Sequence, residues 1–472
     1  MAFPLRGAAF ALSFAPMKTQ RIAHNIDAPE TKKARAHYML SSVYEVTVFS
    51  FLTLFLAECR ANLGWEDWMS SLSLFLPPFT ASVSIFFSSF FVGHHTDNLK
   101  AMRVLTLSSF ALLIAFSLCG LLLPSHGSDG GVNVLLYFVL VIGSSLLMGA
   151  HWSFLSFQIS NAADINYVEK TRFGQVYLFV PLISMAIAPL AGFTSNSIFH
   201  HYQGYLFLFL IASPLLLLEF AGTFFFHSYD PKLFHDEADE KTSYRRLFSN
   251  HRYCLYLFVV VLWVSTLWAS DAMVSGYWAS LESSSEAENS FNGLAYGFYL
   301  AFSYLLDFIV VYFNTRIGFG KRTVFSVNLG LGVLVLASLG FGLLSYFFRL
   351  PPEEGLYLML SVIALHGGKG IANGLYYSSN LSIIHHLLGS KLRRKAVFLA
   401  PCLYQLINAF LQLVYPFLGQ NRYIGFFLMA GASFLGFVLS WFLDGPLLHQ
   451  TLDARKASTD QGEDAFDQES QD

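Results

Sequence analysis

Apolar and polar positions alternate along this chain on a long wavelength. Runs of about 20 mostly apolar residues, each long enough to cross ~30 Å of hydrocarbon as a helix, recur from end to end and are separated by short polar stretches. They fall at 38–59, 70–93, 102–123, 133–157, 174–197, 203–226, 254–280, 293–313, 324–348, 355–384, 396–418 and 423–444. The pattern predicts an all-α membrane protein of twelve transmembrane helices, numbered here as spans one to twelve.

Charge placement tests this list independently of hydropathy. Once the spans are drawn, 24 of the 28 Lys and Arg fall on one side. Six lie in the N-terminal arm (1–37), five in the central loop (227–252) and two in the tail (446–472); the even-numbered connections hold the others, among them Lys100, Arg103, Lys170, Arg172, Arg316, Lys321, Arg322 and the run 391–395. A miscounted helix would have exchanged the sides beyond the error. The positive-inside rule therefore expects both termini in the cytoplasm.

Composition agrees: 54% of the 472 residues are hydrophobic, 12% are charged, and mean hydropathy is +0.50, outside the range of ordinary soluble domains. The net charge of −3 comes from acidic segments in the central loop and tail, so no nucleic-acid partner is expected, and the tail is expected to be disordered. The apolar run after Arg6 is short and followed by polar residues, which argues against a secretory signal, and Met17 heads a basic arm typical of a cytoplasmic start. Four scattered cysteines read as packing residues, not disulfides or metal ligands, and the pairs His94-His95, His200-His201 and His385-His386 fall at membrane boundaries without a third ligand. No metal or cofactor is expected. The 49 Phe read as packing and lipid belt.

Between spans two and three the chain reads Gly93-His94-His95-Thr96-Asp97-Asn98-Leu99-Lys100-Ala101-Met102-Arg103; between spans eight and nine it reads Asn314-Thr315-Arg316-Ile317-Gly318-Phe319-Gly320-Lys321-Arg322. Asp97 lies 59 residues past the start of span one, and Asn314 lies 60 past the start of span seven. Six spans (38–226) plus six (253–445) is the simplest account. The first loop resembles the signature of the major facilitator superfamily, a Gly, three residues, an Asp and then basic residues, and the second resembles its weaker C-terminal echo. That resemblance implies two pseudo-symmetric six-helix bundles that rock about a central cavity lined by spans one, four, seven and ten. It also implies a cytoplasmic gate at Gly93, Asp97, Lys100, Arg103, Arg316, Lys321 and Arg322, with Asp97 capping a helix and pairing with Arg103. Asn98 departs from the family, which often has a basic residue there. The plain alternative is that Lys100 and Arg103 are positive-inside residues only.

Ionisable groups within spans are costly, so those that persist usually face a cavity or a partner. Span one carries Glu45, span four His151, span seven Asp271, span eight Asp307, and span ten His366 and Lys369. In span seven, Trp268, Asp271, Ser275 and Trp278 recur at helical spacing on one face; in span ten His366, Lys369, Asn373, Tyr377 and Asn380 do the same, and in span eleven Gln405, Asn408 and Gln412. The run Gly367-Gly368-Lys369-Gly370 with Gly374 predicts a loosened or broken span ten at mid-membrane.

These residues support a substrate site of Lys369, Asp271, Trp268, Trp278, Asn373, Tyr377, Gln405, Asn408 and His151, with Glu45 and Asp271 as proton-coupling groups. Glu45 is the stronger candidate because an apolar helix disfavours an isolated charged carboxylate. Against each stands a structural alternative: a buried Asp271–Lys369 pair, a hydrogen-bonded core Glu45, a packing His151 and a structural Asp307 bonded within span eight or to the loop; Glu219, near the cytoplasmic end of span six, reads as snorkelling to the interface or as structural. No GxxxxGK[ST] motif appears, so an ion gradient, most simply of protons, is the expected energy source. The expected function is alternating-access transport of a small polar, zwitterionic or anionic solute. Efflux of amphipathic compounds by proton antiport, an intramembrane enzyme using His151 or His366, and a non-transporting receptor are the alternatives.

Overall fold

The computed structural model describes residues 67–92, 98–122, 130–165, 178–198, 214, 216–224, 244–282, 293–317, 323–348, 355–388, 390–421 and 423–443. Span one with Glu45, the loop residues Gly93 and Asp97, and Lys321 and Arg322 lie outside them. So do the side chains of Asp271, Trp278 and Arg316, whose helices are described.

Ten long helices stand where hydropathy put them: Asp67–Phe91 (span two), Asn98–Leu122 (three), Gly130–Ile165 (four), Phe179–Ile198 (five), His251–Glu282 (seven), Gly293–Ile317 (eight), Thr323–Phe348 (nine), Gly355–Leu387 (ten), Ser390–Val414 (eleven) and Tyr423–Ser440 (twelve). Residues 216–222 form a helical part of span six. Six of the described helices are long and apolar enough to cross a membrane. They present Phe87, Phe91, Leu336, Phe347, Phe434 and Phe442 outward at more than half exposure. An apolar surface so extensive belongs in lipid, and the protein is an integral multi-pass membrane protein.

Hydropathy misplaced the helix ends where polar residues continue a helix beyond the apolar run. Span four runs to Ile165 through a polar segment with no Gly or Pro, and the basic run 391–395 is the first turns of span eleven. Asn314, expected in a loop, sits in the last turn of span eight and donates to Ser378 Oγ of span ten.

The two halves pack alike. Span four lies against spans two and three, and span ten against eight and nine. Across the halves, span two packs on span eleven and span five on span eight. Span seven is the most enclosed of the spanning helices, with 72% of its apolar window buried against 33% in span twelve. Several buried hydroxyls are satisfied locally: Thr106, Ser153, Ser184 and Ser265 each donate to the carbonyl four residues back. Cys254 and Cys402 are free thiols.

Span ten is not broken. Gly355–Leu387 is a continuous helix through every glycine of the 367–374 run, and the expectation of a mid-membrane discontinuity is corrected by what these glycines touch. A Cβ on Gly370 would collide with the Ser303 carbonyl of span eight, one on Gly374 would lie 2.8 Å from the Asp307 carbonyl, and one on Gly368 would lie 2.5 Å from Ala337 Cβ of span nine. The missing side chains let neighbouring backbones approach, as small residues do in membrane helix packing. Gly149 of span four makes the same notch in the other half, 2.7 Å from the Ala81 carbonyl of span two.

Gly370→Val should lower stability by about 1–3 kcal/mol through overpacking. Gly431→Ala, in span twelve where a Cβ meets nothing within 4 Å, should be neutral or stabilising by up to ~1 kcal/mol. Thermal unfolding of both variants in the same detergent checks this; equal melting temperatures would show that the notch is not a packing constraint.

Candidate functional site

The close approach of spans eight and ten places a carboxylate between them. Asp307 is 2% exposed, and its Oδ2 accepts a hydrogen bond from Asn373 Nδ2 at 2.6 Å. Among the described residues no donor meets Oδ1. Lys369 stands one helical turn before Asn373, half-buried, and its ammonium acts electrostatically on both the Asp307 carboxylate and the buried His366 ring. A cation, a carboxylate, an amide and an imidazole thus share one seam.

Two further polar layers lie toward the end of the bundle where the central loop joins the halves, called here the linker end. Tyr256 of span seven donates to Asn380 Oδ1 at 2.6 Å, and Asn380 Nδ2 donates to Tyr376 at 3.1 Å. Asn250 accepts from the Tyr253 amide at 3.1 Å and so caps span seven, while its own amide donates to the Leu387 carbonyl of span ten. On span eleven Gln405, Asn408 and Gln412 are buried, and Gln412 donates to Asn408 at 2.9 Å. The Trp268 and Tyr404 rings meet at 5.5 Å.

The seam between halves is closed along spans two and eleven. Phe75 meets Phe410 edge-on at 5.7 Å, and Ser82 donates to the Cys402 carbonyl at 2.8 Å. At the linker end Phe398 of span eleven completes an apolar cluster with Ile85, Phe154 and Phe157. Tyr244, in a short helix Tyr244–Phe248 of the central loop, lies 3.4 Å from Ser89 and under the Lys395 ammonium.

Solved structures share this architecture. A crystal structure of the nucleoside transporter NupG superposes with a TM-score of 0.58 at 11% identity, covering 87% of this chain and 98% of that one. The xylose transporter XylE from E. coli, in a partially occluded inward-open conformation, gives 0.60 at 9%, covering 87% and 98%, and is described elsewhere as a major facilitator superfamily proton:xylose symporter. The peptide transporter POT gives 0.58 at 15%, covering 89% and 95%. No family model and no curated protein matches the sequence.

The chain has the major facilitator fold.

Within this fold the expected site residues separate into groups. Lys369 and Asn373 come together with Asp307 and His366. Trp268, Gln405 and Asn408 stand on spans seven and eleven, and Tyr377 packs against Tyr376. His151 is elsewhere: it is 2% exposed, and its Nε2 lies 2.5 Å from Glu219 Oε1 of span six. Glu219 does not snorkel, because it is wholly buried against that imidazole. Arg103, expected to pair with Asp97, which lies outside the described residues, holds span six. Its Nε donates to Thr223 Oγ1 at 3.1 Å, its Nη2 donates to the Thr223 carbonyl at 3.0 Å, and its guanidinium covers the Phe224 ring at 4.2 Å. Lys100 is exposed.

Sequence reasoning underrated Asp307 and Glu219. Asp307 was expected to bond within span eight or to the loop, yet its partner is on span ten, seven residues past His366. The signal was present in both cases, a single acid within an apolar run, but periodicity does not name the helix that faces it.

Replacing Asn373 by Leu should cost about 1.5–3 kcal/mol, since it strips a buried carboxylate of its donor. Adding Asp307→Asn should recover part of that loss by removing the stranded charge. Melting temperatures of the two variants read this directly; an unchanged Asn373→Leu protein would remove the bond from the account.

Proposed function

We propose that the protein is a secondary active transporter that moves a small polar, zwitterionic or anionic organic solute by alternating access, driven by protons. The observation that carries this reading is the half-buried Lys369 set among Asp307, Asn373 and His366 on the seam of spans eight and ten. A cation held at mid-membrane beside a carboxylate is poised for an anionic group, and the fold is shared with transporters of nucleosides, xylose and peptides.

In this reading Lys369 binds the anionic part of the solute. Asp271, Trp268, Trp278, Asn373, Tyr377, Gln405 and Asn408 complete the site, with His151 held behind it. Glu45 and Asp271 carry the coupling proton. The linker end is cytoplasmic, as the distribution of Lys and Arg supports. There Phe398 and the contacts of Tyr244 close the path, with Gly93, Asp97, Lys100, Arg103, Arg316, Lys321 and Arg322 as the gate about which the bundles rock.

The first experiment is a thermal-shift screen of purified protein against nucleosides, sugars, amino acids, short peptides and organic acids at two pH values, because a ligand of the folded state raises its apparent stability. With a hit in hand, Lys369→Ala should abolish binding of that compound, and its full retention would refute the anion site. Glu45→Gln in proteoliposomes should abolish uphill uptake driven by a pH gradient yet preserve counterflow; uphill uptake at the parent rate would refute the coupling role. A Lys369→Ala/Asp271→Ala protein that regains transport would assign that pair to structure.

A further inference from the structure

The short helix of the central loop carries its cations on a fixed outward turn. In Tyr244–Phe248 the Leu247 side chain is wholly buried in the core of the C-terminal half. Tyr244 is held from both halves, 3.4 Å from Ser89 of span two and under the Lys395 ammonium of span eleven. The backbone keeps winding into span seven: the Ser249 amide donates to the Arg245 carbonyl at 3.0 Å, Asn250 to Leu247 at 3.2 Å and Cys254 to Asn250 at 3.0 Å. Side chains fix the junction as well. Ser249 Oγ donates to the Arg246 carbonyl at 2.7 Å, the Cys254 thiol to the Phe248 carbonyl at 3.2 Å, and the Asn250 amide to the Leu387 carbonyl of span ten. Arg245, Phe248 and Arg252 therefore follow one another at steps of three and four residues and share one face. Arg245, Arg246, His251 and Arg252 are exposed, and Phe248 is 48% exposed.

This face lies at the membrane boundary. The apolar window of span seven starts at His251, so Phe248 stands about one helical turn before it and the two arginines less than two. At that depth an aromatic ring sits among acyl chains and arginines reach phosphates. The segments packed there contain no acid: neither Asp nor Glu occurs from Trp68 to Val92, from Tyr244 to Ser270 or from Leu375 to Asn421. Four acids do precede the helix in the central loop, Asp236, Glu237, Asp239 and Glu240, outside the described residues. They match the arginines in charge, but that run has Ala238 as its only apolar residue and gives Phe248 no partner. A phospholipid matches both, phosphate to guanidinium and acyl chain to ring. The positive-inside rule accounts for cations at this end of the bundle. It does not account for arginines and a phenylalanine fixed together on one face.

We infer that the turn 244–252 is a binding site for an anionic phospholipid of the leaflet at the linker end, with Arg245, Arg246 and Arg252 on the headgroup phosphate and Phe248 against the acyl chains. The site is separate from the solute site and does not rest on the transport reading.

Native mass spectrometry tests it on the full chain, purified in a neutral detergent and titrated with palmitoyl-oleoyl phosphatidylglycerol or the corresponding phosphatidylcholine. The first lipid bound by the parent should be phosphatidylglycerol by preference. Arg245→Gln and Arg246→Gln should each lower that preference about fivefold, the effect of one cation near a charged headgroup. Arg245→Lys/Arg246→Lys, which keeps the charges, should keep most of it, and Phe248→Ala should weaken both lipids by a common factor. Arg455→Gln/Lys456→Gln, which removes the same charge from the tail, should leave the preference whole. Melting temperatures without added lipid should agree with the parent's, which keeps lost binding apart from lost fold. Equal affinity of the parent for the two lipids, an unchanged preference in Arg245→Gln/Arg246→Gln, or an equal loss in the tail variant would each overturn the inference. Loss of the preference in inorganic phosphate at constant ionic strength would overturn it by assigning the arginines to a soluble anion. A preference that appears only when Asp236, Glu237, Asp239 and Glu240 are replaced by their amides would overturn it by assigning them to that acidic run. None of these outcomes bears on the uptake measurements.

Discussion

Hydrocarbon supplies no partner to a polar group, and the structure is organised by that constraint. Backbone amides and carbonyls are satisfied by helices, so the described chain is a set of helices. Many serine and threonine hydroxyls turn back on their own helix, while others such as Ser82 and Ser84 reach a carbonyl of another. Several of the remaining ionisable and amide side chains find partners on another helix: Asp307 with Asn373, Asn314 with Ser378, Tyr256 with Asn380. Each such bond selects one neighbour and one rotation of the helix about its axis. Apolar packing against lipid-like surroundings does this poorly, because tails and Leu side chains are nearly equivalent.

Close approach works with these bonds. Asn373 is short, and it reaches Asp307 because Gly370 and Gly374 let the backbone of span eight lie against span ten. Glycine in a helix loses ~1 kcal/mol relative to alanine. In span ten that loss is offset by contact between backbones and by a bond that a wider separation would break. The flexibility of glycine and its smallness make opposite predictions, a broken helix or a tightly packed one. The neighbouring helix decides between them, and here it is Ser303 and Asp307 that do so.

This is also why the spans were legible in the sequence and their partners were not. An apolar run of the right length has one solution in a bilayer, so span ten was placed to within a few residues of Gly355–Leu387. Its polar stripe was legible too, but as one face. The structure divides it, turning Asn373 to span eight and Asn380 to span seven, since residues at three- and four-residue steps still fan around the helix. Glu219 was left between two readings because a lone acid near the end of an apolar run looks the same whether it reaches toward headgroups or meets a histidine of another span. Arg103 looked like a loop cation. Its partner, the final turn of span six, carries carbonyls that attract a guanidinium at a helix C-terminus, which no spacing in the sequence could show.

The halves are alike in packing and unlike in charge. In the N-terminal half an acid and a histidine meet with almost no exposure, and span six touches spans three and four next to the closed linker end. In the C-terminal half the cation at Lys369 is half-buried and its neighbouring carboxylate has one oxygen without a donor among the described residues. An incompletely satisfied charged cluster suits a group that receives a ligand, because a solute can complete it.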